Sequence, residues 1–329
     1  MREFMKNKKI FFNYRVNTLI ILTLTALLFQ GCLDDDESDL DRQVRLDDEA
    51  ITEYLESNNI EAERDPYGYY FVKTKENRAG EEVEDGDVLS IYYTMTLLNG
   101  NEIDSASATR GGAVKIGFDQ SGITMAPSGL YVGLSTMREG EIYKFFIPSY
   151  RAYGSYSYKQ LIPANAIFII DVELVNIGSR EEQEEIEIGM IEAYLEEQEV
   201  VDADNFSSGL FYKQLSAGDG AKPGRGDNLR VHYKGTYLDG TVFDQTESNS
   251  PFEFTLGSTS VIEGFEEGIE LMQEGEKALL IMPSNLAYGE SFQVVPAQIR
   301  EDLIDKELIR ESVEPFSPLI FEVELVDVN

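Results

Sequence analysis

The chain has 329 residues, and 42% of them are hydrophobic, which is enough for the cores of two domains and excludes disorder along the whole length. Its 61 Asp and Glu outnumber its 27 Lys and Arg to give a formal net charge of −34, which argues against nucleic acid as a partner. A single Cys and a single His exclude an internal disulfide and a zinc site of the usual His and Cys type.

The first 32 residues have the pattern of an export signal. Five Lys and Arg within the first 15 residues precede a mostly apolar run from Val16 to Phe29. This run is too short for a comfortable membrane-spanning helix but suits the apolar region of a signal peptide. It is followed by Gly31-Cys32, which resembles the lipobox of bacterial lipoproteins, where the Cys is lipidated and becomes the first residue of the mature chain. An ordinary secreted protein with an incidental Cys is the alternative.

Acidic residues follow Cys32. The run Asp34-Asp35-Asp36-Glu37 resembles the export signal of surface lipoproteins in the Bacteroidota, and a plain solvated tether is the alternative because like charges keep a segment extended. We therefore expect a signal peptide over 1–31, an acidic tether over 32–46, and a membrane anchor through a lipid on Cys32. The expected location is the outer membrane, on either the cell surface or the periplasmic face.

The rest of the chain contains two similar halves whose matching residues are about 140 positions apart. The matching residues include Ile51, Tyr54 and Leu55 in the first half and Ile191, Tyr194 and Leu195 in the second. Their spacings of three and four make one apolar stripe, which predicts an acidic helix near 47–58 and another near 182–198. An apolar run after each helix, at 68–73 and at 209–213, predicts a short strand.

Each half continues as a β-rich body with one short helix. In the second half Leu229, Val231 and Tyr233 alternate with polar residues, which predicts a strand with one solvated face, and 264–272 has the period of a helix. The predicted fold class is α+β, with each domain an antiparallel β-sheet wrapped around a short α-helix and preceded by an acidic helix. The predicted segments are a first domain over 47–178, a linker helix and strand over 179–217, and a second domain over 218–329.

Eight fragments of the second half occur together in the order typical of one family. They are Val231-His232-Tyr233-Lys234-Gly235, Asp239-Gly240, Phe243-Asp244, Pro251-Phe252, Leu256-Gly257, Val261-Ile262-Glu263-Gly264-Phe265, Leu286-Ala287-Tyr288-Gly289 and Phe321-Glu322-Val323-Glu324-Leu325. In combination they resemble the FKBP-type peptidyl-prolyl cis–trans isomerases over about 218–329. The first half, over about 83–177, is similar in layout but degraded.

This resemblance implies an enzyme that isomerises Xaa-Pro bonds of exported proteins, so the implied partners are Pro-containing polypeptide clients. It implies neither a cofactor nor a metal. A chaperone or adaptor that binds Pro-containing segments without turnover is the alternative. A glycan-binding surface lipoprotein is disfavoured, because sugar-binding surfaces rely on Trp and the chain has none.

The resemblance also implies an apolar cup for the proline ring. Its catalytic positions would be Tyr233, Asp244, Ile262 and Tyr288, and its substrate-binding positions would be Phe243, Phe252, Val261, Phe265, Val313 and Phe321. The main-chain N–H of Ile262 and the hydroxyl of Tyr288 are expected to donate to substrate carbonyls. Phe265 stands where the family usually has Trp and keeps an aromatic floor of smaller size. His232 neighbours Tyr233 on a strand and should point to the opposite face, so we expect no catalytic role for it.

The two domains are not expected to be equally active. The first half retains the cup residues Tyr93, Asp104 and Tyr153, whereas Ile103, Leu130 and Ile170 stand at aromatic positions. Pro127 matches Ile262, and because proline has no N–H the backbone donor is missing. The first domain is therefore predicted to be a weak or inactive isomerase that serves as a spacer, a dimerisation unit or a client-holding surface.

The second domain carries a longer segment than the first, over 290–312. Its part from Ala297 to Arg310 is predicted to be a helix, because Ile299 and Leu303 lie at i, i+4. In the family this loop overhangs the cup, so the insert is interpreted as a lid or client-gripping helix. A helix packed away from the site is the alternative.

Overall fold

The computed structural model describes residues 37–309 and 313–329. The expected signal peptide over 1–31 and the expected lipidation site, Cys32, lie outside these residues. The chain divides into one unit that ends at Leu46 and a second from Asp47 to Asn329. Within the described part, no helix combines the length and the apolar character that crossing a bilayer requires.

The first described element is helix α1 (Asp39–Ser57), which begins earlier than the sequence predicted. The hydroxyl of Ser38 accepts a hydrogen bond from the N–H of Asp41 at 3.0 Å and so caps the helix. Acidic side chains in this first turn are favoured by the helix dipole. The acidic tether expected over 32–46 is therefore helical from Asp39 onward.

The N-terminal domain is built on a seven-stranded antiparallel sheet with the order β1-β2-β7-β8-β3-β4, in which β5 also pairs with β3. The elements are β1 (Glu63–Arg64), β2 (Tyr70–Lys75), β3 (Val88–Leu97), β4 (Glu102–Ala106), β5 (Val114–Gly117), the separate strand β6 (Met125–Ala126), helix α2 (Ser128–Leu134), β7 (Ile142–Ile147) and β8 (Phe168–Gly178). Leu130 and Leu134 of α2 are buried with Ile91, Met95 and Phe145 of the sheet. The sheet therefore wraps around the helix as expected.

The C-terminal domain repeats this plan, with the order β12-β11-β16-β14-β10-β9 and β13 paired to β11. The elements are helix α3 (Arg180–Glu197), β9 (Asp204–Asn205), β10 (Phe211–Ser216), β11 (Asn228–Tyr237), β12 (Val242–Gln245), β13 (Phe252–Thr255), helix α4 (Glu263–Leu271), β14 (Lys277–Met282), β15 (Gln293–Val294), helix α5 (Arg300–Asp305) and β16 (Leu319–Val328). Phe265 and Ile269 of α4 are buried with Leu229, Val231 and Val323. The predicted α+β class with two similar domains is confirmed.

The acidic helix before each sheet packs on the sheet's outer face through its predicted apolar stripe. Ile51 of α1 is buried with Tyr70 and Phe146. In the same way, Ile191 of α3 is buried with Phe211 and Ile320. This second helix starts at a capping box formed by Ser179 and Glu182.

Each acidic helix also supplies one buried carboxylate to the turn that follows the strand β7 or β14. Asp47 accepts hydrogen bonds from the N–H and the hydroxyl of Ser149 at 2.8 and 2.6 Å. Glu187 accepts from the N–H and the hydroxyl of Ser284 at 2.6 and 3.0 Å. Both serines begin a short 3-10 turn, Ser149–Arg151 or Ser284–Leu286, which leads directly into the cup tyrosine of its domain.

The insert of the C-terminal domain does not cover its own domain. Its helix is shorter than predicted, because 297–299 form a 3-10 turn and α5 ends at Asp305. Val294, Val295, Ile299 and Leu303 are buried in the core of the N-terminal domain. The interpretation of the insert as a lid over its own cup is therefore wrong, and the alternative of packing away from that cup holds.

Candidate active site

The C-terminal domain contains an open cavity of about 620 Å³ between its sheet and the start of α4. Aromatic and aliphatic side chains line most of it, and polar residues stand around it. The lining residues are Tyr233, Asp244, Phe252, Thr259, Ser260, Val261, Ile262, Glu263, Phe265, Glu266, Asn285, Ala287, Tyr288 and Phe321. Such a concave, mainly apolar site with a few polar groups is typical of ligand pockets.

Aromatic rings from different elements meet at the bottom of this cavity. Phe265 of α4 is only 3% exposed, and its ring centroid lies 5.8 Å from that of Tyr233 and 5.3 Å from that of Phe321. Phe243 lies behind the rim, with its ring 5.6 Å from Phe321 and 6.3 Å from Tyr288. Most of these pairs are edge-to-face, a favourable arrangement that fixes the rings against one another. Tyr233, Phe265 and Tyr288 thus line one opening, and Phe243 packs behind them.

A hydroxyl–carboxylate pair lies at the edge of the cavity. The hydroxyl of Tyr233 on β11 donates to Asp244 Oδ2 on β12 at 2.5 Å, and Asp244 Oδ1 accepts the N–H of Gln245 at 2.8 Å. Burial, and then this hydrogen bond, raise the pKa of Tyr233 well above its usual range. The hydroxyl therefore stays protonated and holds the carboxylate in a fixed position.

Two hydrogen-bond donors suited to carbonyl oxygens stand on the cavity wall. Ile262 is the N-cap of α4, where its C=O accepts from Phe265 and Glu266 within the helix while its own N–H lies before the first turn. Tyr288 is 42% exposed, and burial of its ring raises the pKa of its hydroxyl. Tyr288 is therefore a protonated donor that a bound ligand can reach.

Two residues expected to line the cup, Val313 and Phe243, are not among its lining residues. Val313 is buried in the domain core, where its C=O accepts from the hydroxyl of Ser291 at 2.6 Å, and it is not among the lining residues. A second donor from the insert, the Arg300 side chain at 3.4 Å, also holds the C=O of Val313 in this position. The ring of His232 lies 3.1 Å from the hydroxyl of Thr246 and is outside the cup lining, as strand alternation predicted.

Sequence reasoning missed the polar rim of the cavity. Glu266 accepts the N–H of Gly257 at 2.6 Å and so holds the loop between β13 and α4, and Glu263 and Asn285 stand beside it. These residues carry no spacing signal of their own. The one available signal concerned Glu263 and Glu266, which lie in the first turn of α4, where acidic side chains are favoured.

The N-terminal domain retains the same frame. Tyr93 donates to Asp104 at 2.7 Å, and Pro127 is the N-cap of α2 as Ile262 is of α4, which confirms that the two positions correspond. Leu130 occupies the floor and is fully buried. In this cup the hydroxyl of Tyr153 donates to the C=O of Val295 at 2.6 Å, so a segment of the other domain fills the place that is open in the C-terminal cup.

Comparison with known proteins gives one family. A family model described as FKBP-type peptidyl-prolyl cis-trans isomerase matches residues 79–175 and 220–326, together more than half of the chain. The chain is similar to the human peptidyl-prolyl cis-trans isomerase FKBP10, with 30% identity over 210 residues, 64% of this chain and 31% of that protein. It is similar to the outer membrane protein MIP of Legionella longbeachae, with 44% identity over 100 residues, 30% of this chain and 42% of that protein.

Among solved structures, the crystal structure of FkpA from Escherichia coli matches with 30% identity and a TM-score of 0.35, covering 45% of this chain and 62% of that one. The chain thus spans about a third of the length of FKBP10 and less than half of that of MIP.

Proposed function

Since the chain belongs to the FKBP-type peptidyl-prolyl cis-trans isomerase family, we propose that its C-terminal cup isomerises Xaa-Pro bonds in other polypeptides. The observation that carries this proposal is the ring of aromatic side chains around one cavity of about 620 Å³, with the partly exposed residue Tyr288 on its wall. The substrate is a Pro-containing segment of an exported protein, whose proline ring enters the cup.

The reaction breaks no covalent bond, so it needs no nucleophile. Its barrier, roughly 18–20 kcal/mol, comes from the loss of amide resonance when the bond twists. The planar amide is more polar than the twisted one, so an apolar cup disfavours the ground state relative to the transition state. Phe265 and Phe321 supply the apolar floor for this step.

The polar groups of the cup orient the substrate. The N–H of Ile262 and the hydroxyl of Tyr288 donate to carbonyls on either side of the reacting bond and hold the chain while the amide twists. Asp244, held by Tyr233, stands at the cup edge, where it orders polar groups or contacts the twisted amide. Each donor adds about 1 kcal/mol of net stabilisation.

We propose that the N-terminal cup contributes little turnover. Pro127 supplies no N–H, and Leu130 replaces the aromatic floor, so the cup lacks one donor and one ring. A segment of this chain also occupies the N-terminal cup, where the hydroxyl of Tyr153 donates to the C=O of Val295. This occupancy is consistent with low turnover in that cup.

The test is the rate of cis–trans exchange in a Xaa-Pro peptide, measured by NMR with the full chain. Asp244→Ala is expected to lower kcat/KM several-fold, whereas Asp104→Ala, the matched change in the N-terminal cup, is expected to leave it near native. Native protein that binds the peptide without accelerating exchange would contradict catalysis and support the chaperone or adaptor alternative.

We also propose that the chain is an outer-membrane lipoprotein anchored through Cys32. The support is the sequence pattern around Gly31-Cys32 and the similarity to a relative named as an outer membrane protein. Cells expressing the native chain are expected to incorporate labelled palmitate into it, and Cys32→Ser is expected to abolish the label. Protease added to intact cells distinguishes the surface from the periplasmic face.

A further inference from the structure

The insert of the C-terminal domain makes strand-type hydrogen bonds with the N-terminal cup. Strand β15 pairs in parallel with β6, with Gln293 opposite Met125 and Val294 opposite Ala126. The N–H of Gln293 donates to the C=O of Thr124 at 2.8 Å, and the N–H of Val295 donates to the C=O of Ala126 at 3.0 Å. Main-chain pairing of this kind is a common way for a domain to bind an extended peptide.

A side chain of the N-terminal cup recognises the carbonyl that precedes a proline. The hydroxyl of Tyr153 donates at 2.6 Å to the C=O of Val295, and the next residue, Pro296, is buried. Tyr153 corresponds to Tyr288, which lines the open cavity of the C-terminal domain. The Val295-Pro296 unit therefore lies where the second domain would hold an Xaa-Pro unit of a client.

Apolar side chains on both sides of this unit fill the rest of the cup. Val294, Val295 and Ile299 are fully buried or nearly so, and Leu303 of α5 is 3% exposed. They belong to one buried cluster with Met125 and Leu130 of the N-terminal domain. This removal of apolar area from water is the main driving force for the contact.

Polar contacts around this apolar centre fix the segment further. The hydroxyl of Tyr156 donates to Asp302 at 2.7 Å, and the side-chain amide of Gln298 donates to the C=O of Ile103 at 3.1 Å. At the start of the insert, Glu290 forms an ion pair with Arg180, whose side chain also donates to the C=O of Gly86 at 2.7 Å. The segment is thus held by main-chain, apolar and polar contacts together.

We propose that the N-terminal cup is a peptide-binding site for an Xaa-Pro segment, and that this chain's own residues 292–309 occupy it. The site is closed to other polypeptides while the segment stays in place, and it joins the two domains. Binding of this kind needs no turnover, and its assignment to an Xaa-Pro unit rests on the substrate proposed for the other cup.

The test compares two aspartate substitutions in the same segment of the full chain. Leu303→Asp places a charge in the buried cluster, whereas Leu308→Asp changes a side chain that is 58% exposed and is the matched control. Hydrogen exchange of 293–303 and of 124–126 is expected to be at least tenfold faster in Leu303→Asp. In Leu308→Asp, the exchange rate of these residues is expected to match that of the native chain. The exchange rate of 228–237 and of 319–328 is expected to match that of the native chain in both variants.

A second measurement asks whether the released cup is a binding site. A fluorescent synthetic peptide of residues 290–309 is expected to bind the Leu303→Asp chain and to bind neither the native chain nor Leu308→Asp. Native-like exchange in Leu303→Asp would overturn the proposal. Fast exchange without peptide binding would also overturn it, because the contact would then be packing between domains only.

A milder change keeps the proposal testable if Leu303→Asp does not fold. Tyr153→Phe removes one hydroxyl, and with it the hydrogen bond to Val295. Exchange of 293–303 is expected to be several-fold faster in this variant, with 228–237 unchanged. Unchanged exchange at 293–303 would overturn the role of Tyr153 as the group that recognises the segment.

Discussion

Two hydroxyl–carboxylate pairs organise the two cups, Tyr93 with Asp104 and Tyr233 with Asp244, at 2.7 and 2.5 Å. The pairs are alike because each joins neighbouring strands of an equivalent hairpin, so their presence alone does not distinguish the two cups. The difference between the cups lies in the floor and in the donor at the helix N-cap. Those two positions are therefore where substitutions should separate binding from catalysis.

Replacing Phe265 by Leu gives the C-terminal cup the floor residue of the N-terminal cup. The change removes ring contacts with Tyr233 and Phe321, and aromatic pairs of this kind contribute about 1 kcal/mol. We expect kcat/KM for a Xaa-Pro peptide to fall about fivefold or more. Phe211→Leu, on the outer face of the sheet, is the matched control and is expected to lower stability but not turnover. Equal losses in both variants would contradict a specific role for the floor.

The carboxylate of Glu187 is expected to stabilise the turn that precedes Tyr288. Glu187→Ala leaves the buried N–H and hydroxyl of Ser284 without this acceptor, which costs about 2 kcal/mol in the free energy of unfolding. Urea denaturation of the variant measures the loss. Glu185→Ala, at an exposed position of the same helix, is expected to change stability by less than about 0.5 kcal/mol. Equal stability of both variants would show that the turn needs no acceptor.

Residue patterns predicted most of the C-terminal cup, because the family-like fragments fix Tyr233, Asp244, Phe265 and Tyr288 along the chain. They could not predict the buried carboxylates Asp47 and Glu187, since nothing in an acidic helix distinguishes the one side chain that meets a serine turn from its solvated neighbours. The inward position of Val313 was also beyond sequence reasoning, because it depends on hydrogen bonds from Ser291 and Arg300 that no local pattern indicates.

At the scale of elements, strands with alternating side chains were predicted correctly and segments defined by distant partners were not. Strand β11 and helix α4 follow from local periodicity alone. The start of α1 was predicted too late, because the cap at Ser38 lies within an acidic run that was assigned to the tether. The place of the insert depends on pairing between β15 and β6, which are far apart in sequence, and the i, i+4 pattern of Ile299 and Leu303 fits either domain.

Removal of the insert tests its role as an element. Because α5 packs on the N-terminal domain, a chain with 292–309 replaced by a short loop is expected to retain C-terminal isomerase activity within about twofold. The same variant is expected to unfold at lower temperature, since buried apolar area in the N-terminal core is exposed. A tenfold loss of kcat/KM in a folded variant would restore the interpretation of the insert as a lid.

At the scale of the molecule, the formal net charge of −34 acts on every client that approaches the cup. Asp244, Glu263 and Glu266 add negative charge directly at the opening. We expect peptides with Lys next to the Xaa-Pro unit to have a higher kcat/KM than peptides with Glu at the same position. The difference should decrease as salt is raised, because the Debye length falls to about 10 Å at 0.1 M. A salt-independent ratio would contradict electrostatic attraction of clients.

The two-domain plan of the molecule could be predicted from length and internal repetition, but the state of each cup could not. Each half has similar cup residues, so the sequence presents two equivalent openings. One of them is filled by the partner domain of the same chain, through the hydrogen bond from Tyr153 to Val295. That contact joins residues from both halves, and the sequence pattern around either residue does not predict it.

The division of labour between the cups is tested most directly by one pair of tyrosine substitutions in the full chain. Peptide exchange measured by NMR is expected to slow about fivefold with Tyr288→Phe, which removes a donor worth about 1 kcal/mol, and to stay near native with Tyr153→Phe. The opposite pattern, with turnover lost in Tyr153→Phe and kept in Tyr288→Phe, would place catalysis in the N-terminal cup and contradict the assignment.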